Sequence, residues 1–165
     1  MLDYNPAAVN HRLTAKDKLL ALVAYFVLTL ALTYPLVLRP ASANRLDSPD
    51  ALLNSWIVSW CLHQLPRDPL HLFDANIFYP EKGSLALSEN LVTGALLASP
   101  ATFFSSSPVF LFNVVLLAAF VTSGYAAFVL AHDLTASRLA AALTGILFAF
   151  APYRFAHIPH LQLQL

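Results

Sequence analysis

Charge is what this sequence has least of. Only 11% of its 165 residues are Asp, Glu, Lys or Arg, less than half of the roughly 25% usual in soluble domains. Nine basic residues balance nine acidic ones, so no basic field exists to attract nucleic acid. Cysteine is nearly absent. Cys61 stands alone, which excludes an intrachain disulfide and any all-cysteine metal site. Glycine is scarce at four residues, and no phosphate-cradling glycine loop, nucleophile elbow or zinc motif occurs. Apolar residues are abundant instead, at 58% of the chain with a mean hydropathy of +0.64. A chain this short cannot enclose so much apolar surface in one core, so the excess has to face lipid. The 11 prolines mark the ends and turns of segments rather than a flexible linker.

The order of apolar runs predicts an all-α membrane protein. Residues 1–18 form a polar tail with Arg12, Lys16 and Lys18 ahead of the first apolar run. That run, 19–38, has about the length needed to cross a bilayer as a helix. It lacks a small-residue cleavage site and is read as a retained anchor rather than a signal peptide. The basic residues before it place the N-terminus in the cytoplasm. Segment 39–107 follows as a long outer loop holding Asp47, Asp50, Asp68, Asp74, Glu81 and Glu89. Two interfacial helices are expected in it, at about 49–65 and 89–104. Ser48-Pro49-Asp50 opens the first, with Ser as cap, Pro at the first helical position and an acid in the first turn. In that helix Leu53, Trp56, Ile57 and Trp60 share an apolar face, and Ser55, Ser59 and His63 a polar one. Ser88-Glu89 opens the second, which contains Pro100. A second span is expected over 108–131, a cytoplasmic turn over 132–137 and a third span over 138–152. Residues 153–165 then lead into a further helix, as the start of a longer protein would. The alternative, in which 91–104 crosses the membrane, inverts every later assignment. The shortness of that run, Pro100 and the position of Arg138 favour the first arrangement.

Several motifs stand in order along the chain: Asp50 with Asn54-Ser55-Trp56 and Trp60, then Phe73-Asp74-Ala75-Asn76-Ile77-Phe78-Tyr79-Pro80, then Ser88-Glu89-Asn90. Pro108 and Asn113 follow, then Phe148-Ala149-Phe150-Ala151-Pro152-Tyr153-Arg154 and His157-Ile158-Pro159-His160-Leu161-Gln162. From about Thr33 onward the chain resembles the N-terminal part of bacterial multi-spanning membrane proteins described as glycosyltransferases of the GT-C fold. The resemblance implies a bacterial inner-membrane protein whose first outer loop carries surface helices and a catalytic acid. It also implies a polyprenyl-phosphate-linked sugar as donor and an unknown acceptor. Many such enzymes carry an Asp-Glu pair. Here the local sequence is Ser48-Pro49-Asp50-Ala51, which leaves the base open between Asp50 and Asp47.

Transfer of a sugar from a lipid phosphate needs a base for the acceptor, cationic or hydrogen-bonding groups for the leaving phosphate, and an apolar groove for the tail. Asp50 is the first candidate base, with Glu89 as a second acid or a ligand for a divalent metal ion, the one cofactor left open. The bland alternative for both acids is a first-turn carboxylate favoured by the helix dipole. Arg154, His157 and His160, spaced by three, would share a helical face and suit a phosphate. Gln162 and Lys82 are further candidates, although a loop lysine is ordinarily just solvated. Trp56, Trp60 and Tyr79 suit anchors at the membrane interface. Two non-enzymatic readings compete, a transporter or flippase component for a lipid-linked glycan and a structural subunit. A transporter should place polar or broken helices at mid-membrane.

Overall fold

The computed structural model describes residues 12–42 and 48–165, which are all-α and contain no strand. Asp47 and most of the N-terminal tail lie outside the described residues. The first helix, α1, spans Ala15–Leu32. Thr14 caps it reciprocally: its hydroxyl accepts from the Asp17 N–H at 3.2 Å, and its own N–H donates to Asp17 Oδ2 at 2.9 Å. Two orphan amides are satisfied in this way. The helix stops well short of residue 38. Tyr34 precedes Pro35, which disfavours helical backbone, and only a 3-10 turn at Leu36–Leu38 follows.

The second helix, α2, spans Pro49–Gln64, and a short third, α3, spans Val92–Ala98 and runs on as a 3-10 turn at Ser99–Phe103. Neither Ser88 nor Glu89 starts a helix, because the Ser88 hydroxyl donates to the Glu89 carboxylate at 2.8 Å instead of capping backbone. The predicted turn at 132–137 is also shorter in fact. Helix α4 runs over Pro108–Thr135 without a break, with Ala136 in the left-handed conformation that ends it. Helix α5 begins at once at Arg138 and ends at Ala149, and a short α6 covers Pro152–Ala156. Ser137 caps α5 by accepting from Ala140 N–H at 3.3 Å.

Helix α4 is the axis of the molecule. Its 28 residues make about 42 Å of helix against a bilayer core of about 30 Å. Together with the stretch Arg138–Ala156 it is long and apolar enough to cross a membrane. Helix α5 packs back along the C-terminal part of α4, and α1 runs beside α4 from Ala131 to Val114. An ion pair of 2.9 Å between Arg138 and Asp17 holds the start of α1 and the α4–α5 turn at one end. Tyr25 of α1 inserts beside Gly124 of α4 and Gly145 of α5. A Cβ on Gly124 would lie 2.8 Å from the Tyr25 ring, and one on Gly145 would strike the Tyr25 hydroxyl and lie 2.7 Å from the Gly124 carbonyl. Only glycine leaves room at both positions, and the Tyr25 hydroxyl then donates to the Ala142 carbonyl at 3.1 Å. Beyond Tyr25 and Thr29, α1 buries little. Leu19, Leu20, Val23, Phe26 and Val27 all face outward, as side chains turned toward lipid would.

The N-terminal half of α4 carries the main core. Phe112, Val115, Leu116 and Phe120 pack there with Ile57, Val58 and Cys61 of α2, Leu91, Ala95 and the later Leu161. The buried face of α2 keeps Ile57 of the predicted apolar face but is rotated from it, with Leu53, Trp56 and Trp60 only partly buried at its edge. Asn54 and Ser55 lie inside with Ala51, Val58 and Cys61. Small and hydrogen-bonded side chains allow α2 to come close to its neighbours, the Ser55 hydroxyl donating to Ala51 O at 2.6 Å. Trp56 and Trp60 are half-buried beside them and stack with ring centroids 6.2 Å apart.

Candidate functional site

The first turn of α2 presents Asp50 on the surface. Its carboxylate lies 3.7 Å from His160 Nε2, with the side chains 53% and 33% exposed respectively. This is ion-pair distance rather than a hydrogen bond. Ser48 holds the N-cap position by backbone conformation alone, with no side-chain cap bond. One helical turn after Asp50, Asn54 is buried and organises the approach of the later chain. Its amide donates to the Pro159 carbonyl at 2.8 Å and to Gln162 Oε1 at 3.2 Å. Gln162 in turn donates to Glu89 Oε1 at 3.2 Å, and Ser88 holds the other oxygen. Three stretches distant in sequence therefore meet: the start of α2, the Ser88–Glu89 pair and residues 157–162.

His157 completes the cluster's edge. Its ring stacks on Tyr153 at 4.0 Å, its Nδ1 lies 2.8 Å from the Tyr153 carbonyl, and the His160 ring is 5.7 Å away. A carbonyl only accepts, so Nδ1 carries a proton, and Nε2 is the ring nitrogen left open to a ligand.

Arg154 does not join this cluster. The predicted shared face fails because α6 ends at Ala156, so the residues spaced by three do not continue on one helix. The Arg154 side chain turns inward and is 8% exposed. Nε donates to Gln164 Oε1 at 3.0 Å, Nη2 to the Gln164 carbonyl at 2.8 Å, and Nη1 to the Ser123 hydroxyl at 2.7 Å. The guanidinium also lies 5.0 Å from the centre of the Phe120 ring. Gln164 answers by donating to the Arg154 and His157 carbonyls, each at 2.9 Å. This knot ties α6 and the last residues to the middle of α4.

Lys82 is exposed on a turn that Asp74 closes by accepting from Gly83 N–H at 2.8 Å, and no hydrogen bond or ion pair links it to the cluster. Tyr79 is 96% exposed. Trp60 donates its indole N–H to the Leu72 carbonyl at 2.7 Å and so braces the loop after α2. Among the described residues no three His, Cys, Asp or Glu side chains are placed to hold a metal ion. The class defined by these features is an all-α protein with two helical stretches long and apolar enough to span a membrane, and a polar cluster gathered from separate parts of the chain. Comparison with family models, curated proteins and solved structures found no match.

Proposed function

We propose that this chain is the N-terminal part of a membrane glycosyltransferase of the GT-C type, acting on a polyprenyl-phosphate-linked sugar at the outer face of a bacterial inner membrane. One observation carries the reading. Asp50, Glu89, His160 and Gln162 converge from three stretches of the chain into one polar cluster, half-buried apart from the exposed Asp50. In this reading Asp50, with His160 beside it, receives the acceptor's proton. Glu89, aimed by Ser88 and Gln162, is the second acid, and His157 faces the leaving phosphate. Arg154 serves the site by holding residues 157–164 in place. Trp56, Trp60 and Tyr79 lie at the membrane surface in this arrangement.

The topology that goes with it has a cytoplasmic N-terminus, α1 and α4 crossing in opposite directions, and α3 staying on the outer side. The Asp17–Arg138 pair supports it, since it keeps the start of α1 and the α4–α5 turn at one end. So does the length of Val92–Phe103, whose 12 residues are too few for a span of about 20.

The test is labelling, from outside intact cells, of cysteines introduced one at a time at the exposed positions Leu87 and Leu163. Cys61 need not be replaced, because burial pushes its thiol pKa up to about 11 and keeps it unreactive. Labelling at both Leu87→Cys and Leu163→Cys is expected. Labelling at Leu87→Cys alone, with Leu163→Cys reached only by a permeant reagent, separates the two halves of the cluster by the bilayer and refutes the composite site. That result would favour a transporter component.

A further inference from the structure

At the other end of α2, 13 residues beyond Asp50 and so about 20 Å along the helix, lies a second polar site. A pocket of about 420 Å³ opens between the last turns of α2, the 3-10 turn after α3 and the start of α4. Leu62 and Leu111 line it together with Ser59, His63, Arg67, Thr102 and Ser106. It contains no carboxylate. The nearest acid in sequence, Asp68, is turned to His71 at 2.7 Å.

The hydrogen-bond accounting gives the pocket a definite polarity. Arg67 spends one donor on the His63 carbonyl at 2.7 Å, which holds the guanidinium across the final turn and leaves its other N–H groups to bind an anion in a fork. Ser59 and Thr102 donate their hydroxyl protons to the Ser55 and Ser99 carbonyls, at 2.9 and 2.7 Å. They therefore offer lone pairs and suit a ligand that brings hydroxyl donors. Trp60 stacks on His63 with centroids 6.1 Å apart and forms a continuous ladder with Trp56, an amphipathic wall of the kind found at lipid headgroup depth.

We infer that this pocket binds an anionic phosphoester whose head carries free hydroxyls, with Arg67 and His63 on the phosphate and Ser59 and Thr102 accepting from the hydroxyls. A glycerol phosphate head, on a lipid or free, has this chemistry. The inference does not depend on the transfer reaction proposed for the Asp50–Glu89 cluster.

The two tryptophans serve as reporters. The full chain in maltoside detergent is titrated with dihexanoyl phosphatidylglycerol, and tryptophan emission is followed. A saturable change is expected, weakened about tenfold or more in Arg67→Gln, since a charge-assisted fork is lost, and weakened also in His63→Gln. Both residues are exposed, so the fold should persist, and Cys61 reactivity checks it. Dihexanoyl phosphatidylcholine, which lacks head hydroxyls and net charge, should give no saturable change. Competition by sn-glycerol 3-phosphate would show that the head alone is recognised. Absence of competition beside an Arg67-dependent lipid response would make the lipid the source. A phosphatidylglycerol response unchanged in Arg67→Gln, or matched by phosphatidylcholine, overturns the proposal.

Discussion

Replacing Arg154 separates its role as a structural clamp from the phosphate-binding role expected from the sequence. Arg154→Met keeps the volume of the side chain and removes every donor. Gln164 Oε1 and the Gln164 carbonyl, which accept at 3.0 and 2.8 Å, then lie buried without a donor, at about 1–3 kcal/mol each. The Ser123 hydroxyl keeps its bond to the Phe120 carbonyl at 3.2 Å and adds little. Relief of the buried charge offsets part of the loss, which leaves a net destabilisation of about 3 kcal/mol. For a chain of this size that is a drop in unfolding midpoint of roughly 6–12 °C. Arg154→Lys should lose most of the same stability, because one ammonium cannot reproduce the fork. The assay is thermal unfolding in detergent with a fluorogenic maleimide. Cys61 is the single cysteine, is fully buried, and shares a core with Phe120 and Leu161, so its reactivity reports loss of that core. A midpoint within about 2 °C of the parent would refute the reasoning and return Arg154 to the list of ligands.

Gly145→Ala should cost about 1–3 kcal/mol by overpacking, and much less when combined with Tyr25→Ala, as a double-mutant cycle on unfolding midpoints would read. Asp50→Asn should leave the midpoint nearly unchanged, because Asp50 is exposed, and Glu89→Gln should change it little, because the amide oxygen can still accept from Ser88 or Gln162. Each should lower turnover of a labelled polyprenyl-phosphate hexose by the full-length protein on the order of a hundredfold or more; normal turnover in Asp50→Asn would sink its role as base. Asp17 has a carboxyl held below the usual range, chiefly by the Thr14 N–H and then by the Thr14 hydroxyl. A depressed folded-state value means that its stabilisation is present above the ordinary carboxylate range and lost as the pH falls through the folded value. The midpoint difference between the parent and Asp17→Asn should therefore be visible at neutral pH and disappear in acid, and a difference constant with pH would contradict this.

Helical segments with strong local signals were legible in the sequence. Pro49 at the first helical position and the Ser137-Arg138 start both locate helix ends, and long apolar runs give α1 and α4. The misread ends are those set by tertiary contacts. Nothing local at His132 reveals that it is buried and continues α4. The buried face of α2 was misjudged because hydrophobicity ranks Asn54 and Ser55 as outward, whereas their partners, Pro159 and Gln162 for Asn54 and a backbone carbonyl for Ser55, lie where periodicity cannot look. Asp50, Glu89, His157, His160 and Gln162 were named as candidates and are found in or beside one cluster. Arg154 lies apart from that cluster, since spacing by three implies a shared face only while a helix continues. Its partners Ser123 and Gln164 carry no signal of their own in the sequence.

The unequal lengths of α4 and α5 have a consequence for the surrounding lipid. Helix α5 has 12 residues, about 18 Å, and it ends where Phe150 stacks on Phe120 at 5.9 Å, halfway along α4. The chain that follows is anchored there by Phe155, Arg154 and Gln164, so a stretch rich in histidine and glutamine sits beside the upper half of a spanning helix. In the proposed orientation, acyl chains on that flank meet a hydrophobic belt far shorter than the opposite flank presents. Local thinning of the outer leaflet is one way such a mismatch is met. For the proposed polyprenyl-linked donor, such thinning would open a sideways path by which the head reaches Asp50 while the tail stays in oil.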